Sequence, residues 1–160
     1  MELKEIMNAF TAEIGLGEAV TDDAGGYTFE IDDMTVSFLE SPETQELTTF
    51  SEVGDLPDEG AEQVYRLLME AMFRDSGSDG SIFSQEPGTK RIWVHRRDSL
   101  ATMDNESFRA MLERFVNAME DWRRLVGGLS ELAPKLAEAK ESALRENREL
   151  SMNNEGFVRI

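Results

Sequence analysis

Apolar residues near the start of the chain recur every three or four positions, which predicts an amphipathic helix between Glu2 and Ile14. The stripe consists of Leu3, Ile6, Met7, Phe10 and Ile14. Gly15 and Gly17 follow the last stripe residue, and glycine at this place favours the end of a helix. The sequence therefore predicts that the chain opens with one helix that buries a single face.

From Tyr27 to Leu39 the period of the apolar residues changes to two, which is typical of β-strands with one buried face. A two-residue turn at Asp32-Asp33 would pair Ile31 with Met34, Phe29 with Val36 and Tyr27 with Phe38. All six side chains would then share one face. The agreement between turn length and apolar period predicts a β-hairpin.

Further elements follow the hairpin. We expect a third strand over Gln45–Val53, a helix that begins at Asp58 as its N-cap, and two short strands near Ser81–Gln85 and Arg91–Arg97. Asp104 or Asn105 is expected to cap a long helix, which Gly127-Gly128 would break or end. A thin apolar stripe predicts one more helix from about Ser130 to Leu150.

The resulting order is α-β-β-β-α-β-β-α plus an extra C-terminal helix. Strands and helices do not alternate regularly, which favours an α+β fold with an antiparallel sheet of about five strands packed against helices. We expect residues 1–127 to form a single domain, residues 128–150 an additional helix and residues 151–160 a flexible tail.

The chain has a net charge of −17, and all of it arises in the first half. Residues 1–80 hold three basic and twenty acidic side chains, whereas residues 81–160 hold thirteen of each. This charge makes nucleic acid and anionic membranes poor partners. It either keeps the surface solvated or steers a basic segment of a partner. Because we find no signal peptide and no long apolar run, we expect a cytoplasmic protein.

Candidate chemistry is sparse. The chain has no cysteine, and its one histidine, His95, lies beside Arg96-Arg97, where a second positive charge is disfavoured. Asp75 to Gly80, with Glu86, imitates only part of a calcium loop. We therefore predict no catalytic residue, no metal site, no cofactor and no enzyme. Carboxylates gathered in space stay open as an alternative.

Two apolar residues break the period of the sheet and are expected to face outward. They are Leu39 on the second strand and Phe50 on the third. Single exposed apolar residues are common on soluble proteins. Two on neighbouring strands beside a sheet edge could instead form a groove for an extended peptide.

The chain resembles the class I type III secretion chaperones, the Tir-chaperone family, over about residues 1–127. The resemblance is one of element order and composition, with no diagnostic motif. It is carried by the Leu3 to Ile14 stripe, the hairpin Tyr27–Leu39, the strand Leu47–Val53, the helix Asp58–Phe73, the strands Ile82–Phe83 and Ile92–His95, and the helix Phe108–Val126. The expected helix over residues 130–150 extends past the usual third helix of the family.

The resemblance implies a homodimer that holds the N-terminal segment of a secreted effector in extended form, so that the effector stays competent for secretion. It implies effector contacts at Phe10, Leu39 and Phe50, and a dimer interface that includes Val64, Leu67, Leu68 and Trp93. A dimeric regulatory or sensory module of the same fold, which binds a folded partner, is the alternative function.

Overall fold

The computed structural model describes residues 2–75 and 77–154. Three helices and five strands follow in the predicted order. They are α1 (Leu3–Glu13), β1 (Tyr27–Ile31), β2 (Met34–Ser41), β3 (Glu46–Asp55), α2 (Ala61–Met72), β4 (Ile82–Gln85), β5 (Arg91–Ser99) and α3 (Asn105–Asn154). The strands form one antiparallel sheet in the order β1-β2-β3-β5-β4. The predicted α+β fold class is confirmed.

The β1–β2 hairpin has the register that the apolar period predicts. Ile31 pairs with Met34, Phe29 with Val36 and Tyr27 with Phe38. The two turn residues, Asp32 and Asp33, have φ of 48° and 64°. Positive φ at both central positions is the geometry that joins twisted strands through a two-residue turn, and aspartate tolerates it better than most residues.

The inner face of the sheet packs against α1 and α3 around a cluster of aromatic rings. Phe108 of α3 lies 5.7 Å from Phe10 of α1 and 5.5 Å from Phe38 of β2, measured between ring centroids. Phe29 of β1 lies 5.5 Å from Phe10 with an edge-to-face arrangement. These contacts hold α1 and the hairpin against the first turns of α3.

The predicted break at Gly127-Gly128 is wrong, because α3 continues as one helix to Asn154. A glycine inside a helix costs about 1 kcal/mol relative to alanine, and long helical segments on both sides absorb that cost cooperatively. Val126 is buried in the core and Leu129 packs against it, so this part of α3 is also anchored. Residues 151–154 of the predicted tail belong to α3, and residues 155–160 lie outside the described residues.

Helix starts were only partly predicted. Asp104 caps α3, since its carboxylate accepts a hydrogen bond from the Ser107 amide at 2.8 Å. The prediction that Asp58 caps α2 is wrong, because the cap residue is Gly60. Asp58 instead forms an ion pair with Lys90 across the neighbouring loop.

Candidate functional site

A groove with an apolar floor lies between α1, α3 and the end of β1. We call it the α1–α3 groove, and its cavity volume is about 550 Å³. Its lining consists of Phe10, Ile14, Glu30, Ile31, Asp32, Arg109, Leu112, Glu113, Val116 and Asn117. Ile14 is 49% exposed at its mouth, whereas Leu112 and Val116 are buried beneath it. The groove therefore offers apolar surface that a partner could cover.

The α1–α3 groove opens beside an unpaired strand edge. β1 is the first strand of the sheet and pairs with β2 on one side. On its other side it has no partner strand among residues 2–75 and 77–154. An extended peptide can therefore bond to the backbone of β1 while it places alternate side chains in the groove.

The rim of the α1–α3 groove is acidic. Glu30, Asp32 and Glu113 contribute carboxylates to the lining. Arg109, the basic residue of the lining, forms an ion pair with Glu13 at 2.7 Å. Because that cation already has an anionic partner, the groove favours segments that carry basic side chains next to apolar ones. Two of the three rim carboxylates, Glu30 and Asp32, belong to the acidic first half of the sequence.

Phe10 is the predicted effector-contacting residue that lies in this groove. Its ring is half-buried and contacts the rings of Phe29 and Phe108. It thus stabilises the core and also forms part of the groove floor. Sequence reasoning missed the other floor residues from α3, Leu112 and Val116, because their spacing indicates only a buried helix face.

The other two predicted effector contacts lie on the opposite, outer face of the sheet. Leu39 is 40% exposed and Phe50 is half-buried. Trp93, half-buried on β5, has its ring centroid 6.1 Å from that of Phe50. Ile82 of β4 is 47% exposed and pairs with His95, the cross-strand neighbour of Phe50. We call Leu39, Phe50, Ile82 and Trp93 the outer-face patch.

Two residues that were predicted to lie in a dimer interface are buried inside the chain itself. Val64 is 0% exposed and Leu68 is 3% exposed, because both point from α2 into the core. Their side chains stabilise the subunit and are not accessible to a partner. Leu67, the third interface residue predicted on α2, is half-buried. The accessible face of α2 instead carries Tyr65, Met69 and, just past its end, Phe73, with Met69 64% exposed. We call these three residues the α2 surface.

His95 of β5 has a shifted pKa. Burial lowers the pKa of His95 below its ordinary value, and the nearby Arg97 cation lowers it further. The cationic effect was predicted, but burial is the larger cause. No group of three or more His, Asp or Glu side chains among the described residues is placed to hold a metal ion. Within the same residues, no helix is long and apolar enough to cross a membrane.

Proteins that bind other polypeptides often present an apolar groove beside an unpaired strand edge. This α+β subunit has such a groove and further apolar patches. The model of the Tir chaperone protein (CesT) family matches residues 5–123. The chain belongs to this family. No curated protein sequence matches it significantly.

Chains from solved structures of protein complexes share the fold. A chain from a crystal structure of the ExsC–ExsE complex is 22% identical, with a TM-score of 0.66, over 79% of this chain and 97% of that chain. A chain from the HopA1–SchA chaperone–effector complex is 12% identical, with a TM-score of 0.62, over 76% and 92%. A chain from the Yersinia pestis type III secretion chaperone SycH in complex with a YscM2 fragment is 18% identical, with a TM-score of 0.56, over 74% and 98%.

Proposed function

We propose that the chain is a cytoplasmic chaperone of type III secretion. It binds the N-terminal segment of a secreted effector in extended form and performs no chemical step of its own. The observation that carries this proposal is the α1–α3 groove beside the unpaired edge of β1. Family membership and the fold shared with chaperones solved in complexes support the proposal.

The effector segment adds as a strand next to β1. Its backbone then bonds to the free N–H and C=O groups of β1, and every second side chain points onto Phe10, Ile14 and Leu112. Burial of apolar surface contributes about 25 cal/mol for each Å² removed from water. A segment held in this way cannot use the same side chains to fold or to aggregate, so it stays ready for export.

The outer-face patch provides a second contact for the same effector. Leu39, Phe50 and Trp93 lie on adjacent strands of one sheet face, which a chain leaving β1 can reach around the edge of the sheet. An effector that wraps two faces buries more surface than one confined to the groove. Complexes of this kind are expected to bury about 1,200–2,000 Å² or more.

The α2 surface forms the interface of a homodimer. Tyr65, Met69 and Phe73 expose apolar side chains on one side of the subunit, next to the edge strand β4. The hydroxyl of Tyr65 donates a hydrogen bond to Gln85 of β4 at 2.6 Å, which joins the helix to that edge. A patch that pairs with its own copy is the usual arrangement in symmetric dimers. Leu67 and the outer-face residue Trp93 contact the partner copy at the border of this interface.

Co-expression with candidate effectors from the same genome tests the proposal. The chain should retain one effector through its N-terminal segment, and Ile14→Asp should weaken that complex about tenfold or more, or about 1.4 kcal/mol. Leu16→Asp is the matched control, since Leu16 is 66% exposed nearby but does not line the groove. Retention of only a folded partner, or equal binding by the Ile14→Asp variant, would contradict the proposal.

A further inference from the structure

The chain carries a segment of its own that suits the α1–α3 groove. Beyond the described residues, the sequence continues as Phe157-Val158-Arg159-Ile160. We propose that this segment of one copy binds in the α1–α3 groove of another copy, as an added strand next to β1. The inference rests on the proposed function of the groove, because the segment would occupy the place of the effector.

The side-chain pattern of the segment fits both faces of such a strand. In an extended chain, Val158 and Ile160 point to one side, and Phe157 and Arg159 point to the other. With Val158 and Ile160 on the apolar floor, Arg159 faces outward on the same side of the sheet as Glu30 of β1. Aromatic and β-branched residues such as these also favour the strand conformation.

The charge of the segment also fits the groove. Residues 156–160 contain one charged side chain, the cation Arg159, in a chain whose net charge is −17. The rim carboxylates of Glu30, Asp32 and Glu113 surround the groove, and its own cation Arg109 already pairs with Glu13. A carboxylate directly across from a cation stabilises the pairing of two strands.

The length of α3 decides that the segment must come from another copy. The groove lies against the first turns of α3, at Arg109 to Asn117, and the helix continues to Asn154. At 1.5 Å per residue, Asn154 lies about 55 Å along the helix from Asn117. Six further residues span at most about 20 Å when fully extended. The segment therefore cannot reach the groove of its own chain while α3 is intact.

This contact has a consequence for effector binding. A groove filled by a neighbouring copy is covered while no effector is present, so its apolar floor is protected from unspecific association. The effector must displace the segment, which raises the apparent Kd of the effector in inverse proportion to the fraction of empty grooves. Removal of the apolar contacts of the segment should therefore tighten effector binding.

A paramagnetic label tests the contact directly in the full chain. The chain has no cysteine, so Gly156→Cys introduces one labelling site without changing Phe157 to Ile160. The spin-labelled chain is mixed with an equal amount of ¹⁵N-labelled unmodified chain, and the mixture is unfolded and refolded to exchange subunits. Only contacts between copies can then broaden the observed signals.

The amide signals of Glu30, Ile31 and Glu113 should broaden, and Val158→Asp with Ile160→Asp in the spin-labelled chain should abolish the effect. Arg159→Glu should weaken it, whereas Arg148→Glu, a charge change earlier on α3, should not. Unchanged signals at the groove, or broadening centred on the α2 surface or the outer-face patch, would overturn the inference. So would broadening that persists in the double-Asp variant.

Effector binding separates this inference from the proposed function. If both hold, Val158→Asp with Ile160→Asp should bind the co-purified effector several-fold more tightly than the unmodified chain. Equal or weaker binding would show that the segment does not occupy the groove before the effector binds. The proposed function fails instead if the Ile14→Asp variant retains the effector as well as the Leu16→Asp variant does.

Discussion

Phe50 and Trp93 lie side by side on the outer face of the sheet, with ring centroids 6.1 Å apart and ring planes inclined by 57°. They come from the adjacent strands β3 and β5, and they are diagonal neighbours, because Phe50 pairs with His95 and Trp93 pairs with Glu52. The resemblance to secretion chaperones assigned Phe50 to effector binding and Trp93 to the dimer. The structure places both in one patch, so a single partner can contact both rings.

The first prediction concerns this patch. Phe50→Asp should weaken effector binding about tenfold, because it places a charge where apolar contact is expected. The dimer should persist in light scattering, since the α2 surface lies elsewhere. Thr44→Asp is the control, as Thr44 is exposed in the turn between β2 and β3, outside the outer-face patch. Unchanged effector affinity in the Phe50→Asp variant would remove the residue from the binding surface.

The second prediction separates the dimer interface from the core. In a chain that also carries Val158→Asp and Ile160→Asp, Met69→Asp should give a monomer in light scattering, with a native far-ultraviolet circular dichroism spectrum. The reason is that the Met69 side chain is accessible. Leu68→Asp should instead lower the free energy of unfolding by about 3–5 kcal/mol, because it buries an unpaired carboxylate. Gln63→Asp on the exposed side of α2 should change neither property. A dimer that survives Met69→Asp would place the interface on another surface.

The third prediction concerns His95 and pH. Its pKa is lowered in the folded chain by burial and by Arg97, so the unfolded chain takes up the proton at higher pH than the folded chain does. The unfolded state therefore binds more protons below about pH 6.5, and the free energy of unfolding falls as the pH falls.

Urea denaturation at about pH 7.5 and about pH 5.5 measures this effect. The unmodified chain should lose more stability over this interval than His95→Gln does, because the carboxylates contribute equally to both proteins. Arg97→Gln should reduce the loss only in part, since burial is the larger cause of the shift. An identical loss in the unmodified and His95→Gln chains would contradict the assignment to this residue.

The fourth prediction concerns the hairpin turn. Asp33 has a φ of 64°, a conformation that glycine adopts without steric cost. Asp33→Gly should raise the free energy of unfolding by about 0.5–1 kcal/mol, whereas Asp33→Val should lower it by about 1–2 kcal/mol. Arg123 donates to the backbone carbonyl of Asp33 at 3.0 Å, so both variants keep that hydrogen bond. Denaturant titration distinguishes the two, and a destabilised glycine variant would contradict the turn geometry.

Local patterns in the sequence were sufficient to predict the hairpin and the order of the elements. The register of β1 and β2 depends on turn length and a period of two, and both are visible between Tyr27 and Phe38. The start of α2 and the continuity of α3 depend instead on the free energy of helix formation, which is summed over several neighbouring turns. For that reason Asp58 was mistaken for a cap and Gly127-Gly128 for a break.

The candidate site could be predicted only in part, because a groove is made by elements that are distant in sequence. Phe10 was identified, but its neighbours Leu112 and Val116 lie on α3 and have the spacing of any buried stripe. The same ambiguity affected α2, where an apolar residue can face the core, as Leu68 does, or a partner, as Met69 can. Only the direction of each side chain in the folded subunit separates the two.

Hydrogen exchange at β1 tests the central claim most directly. Amide exchange over residues 27–31 is measured with and without the bound N-terminal segment of the co-purified effector. The measurement uses the Val158→Asp, Ile160→Asp variant, in which the segment of a neighbouring copy no longer covers β1. If the effector adds a strand at this edge, exchange at the outward-facing amides of β1 should slow markedly on binding, and Ile14→Asp should reverse the change. Exchange at β1 that is the same in the free and bound chains would contradict the account.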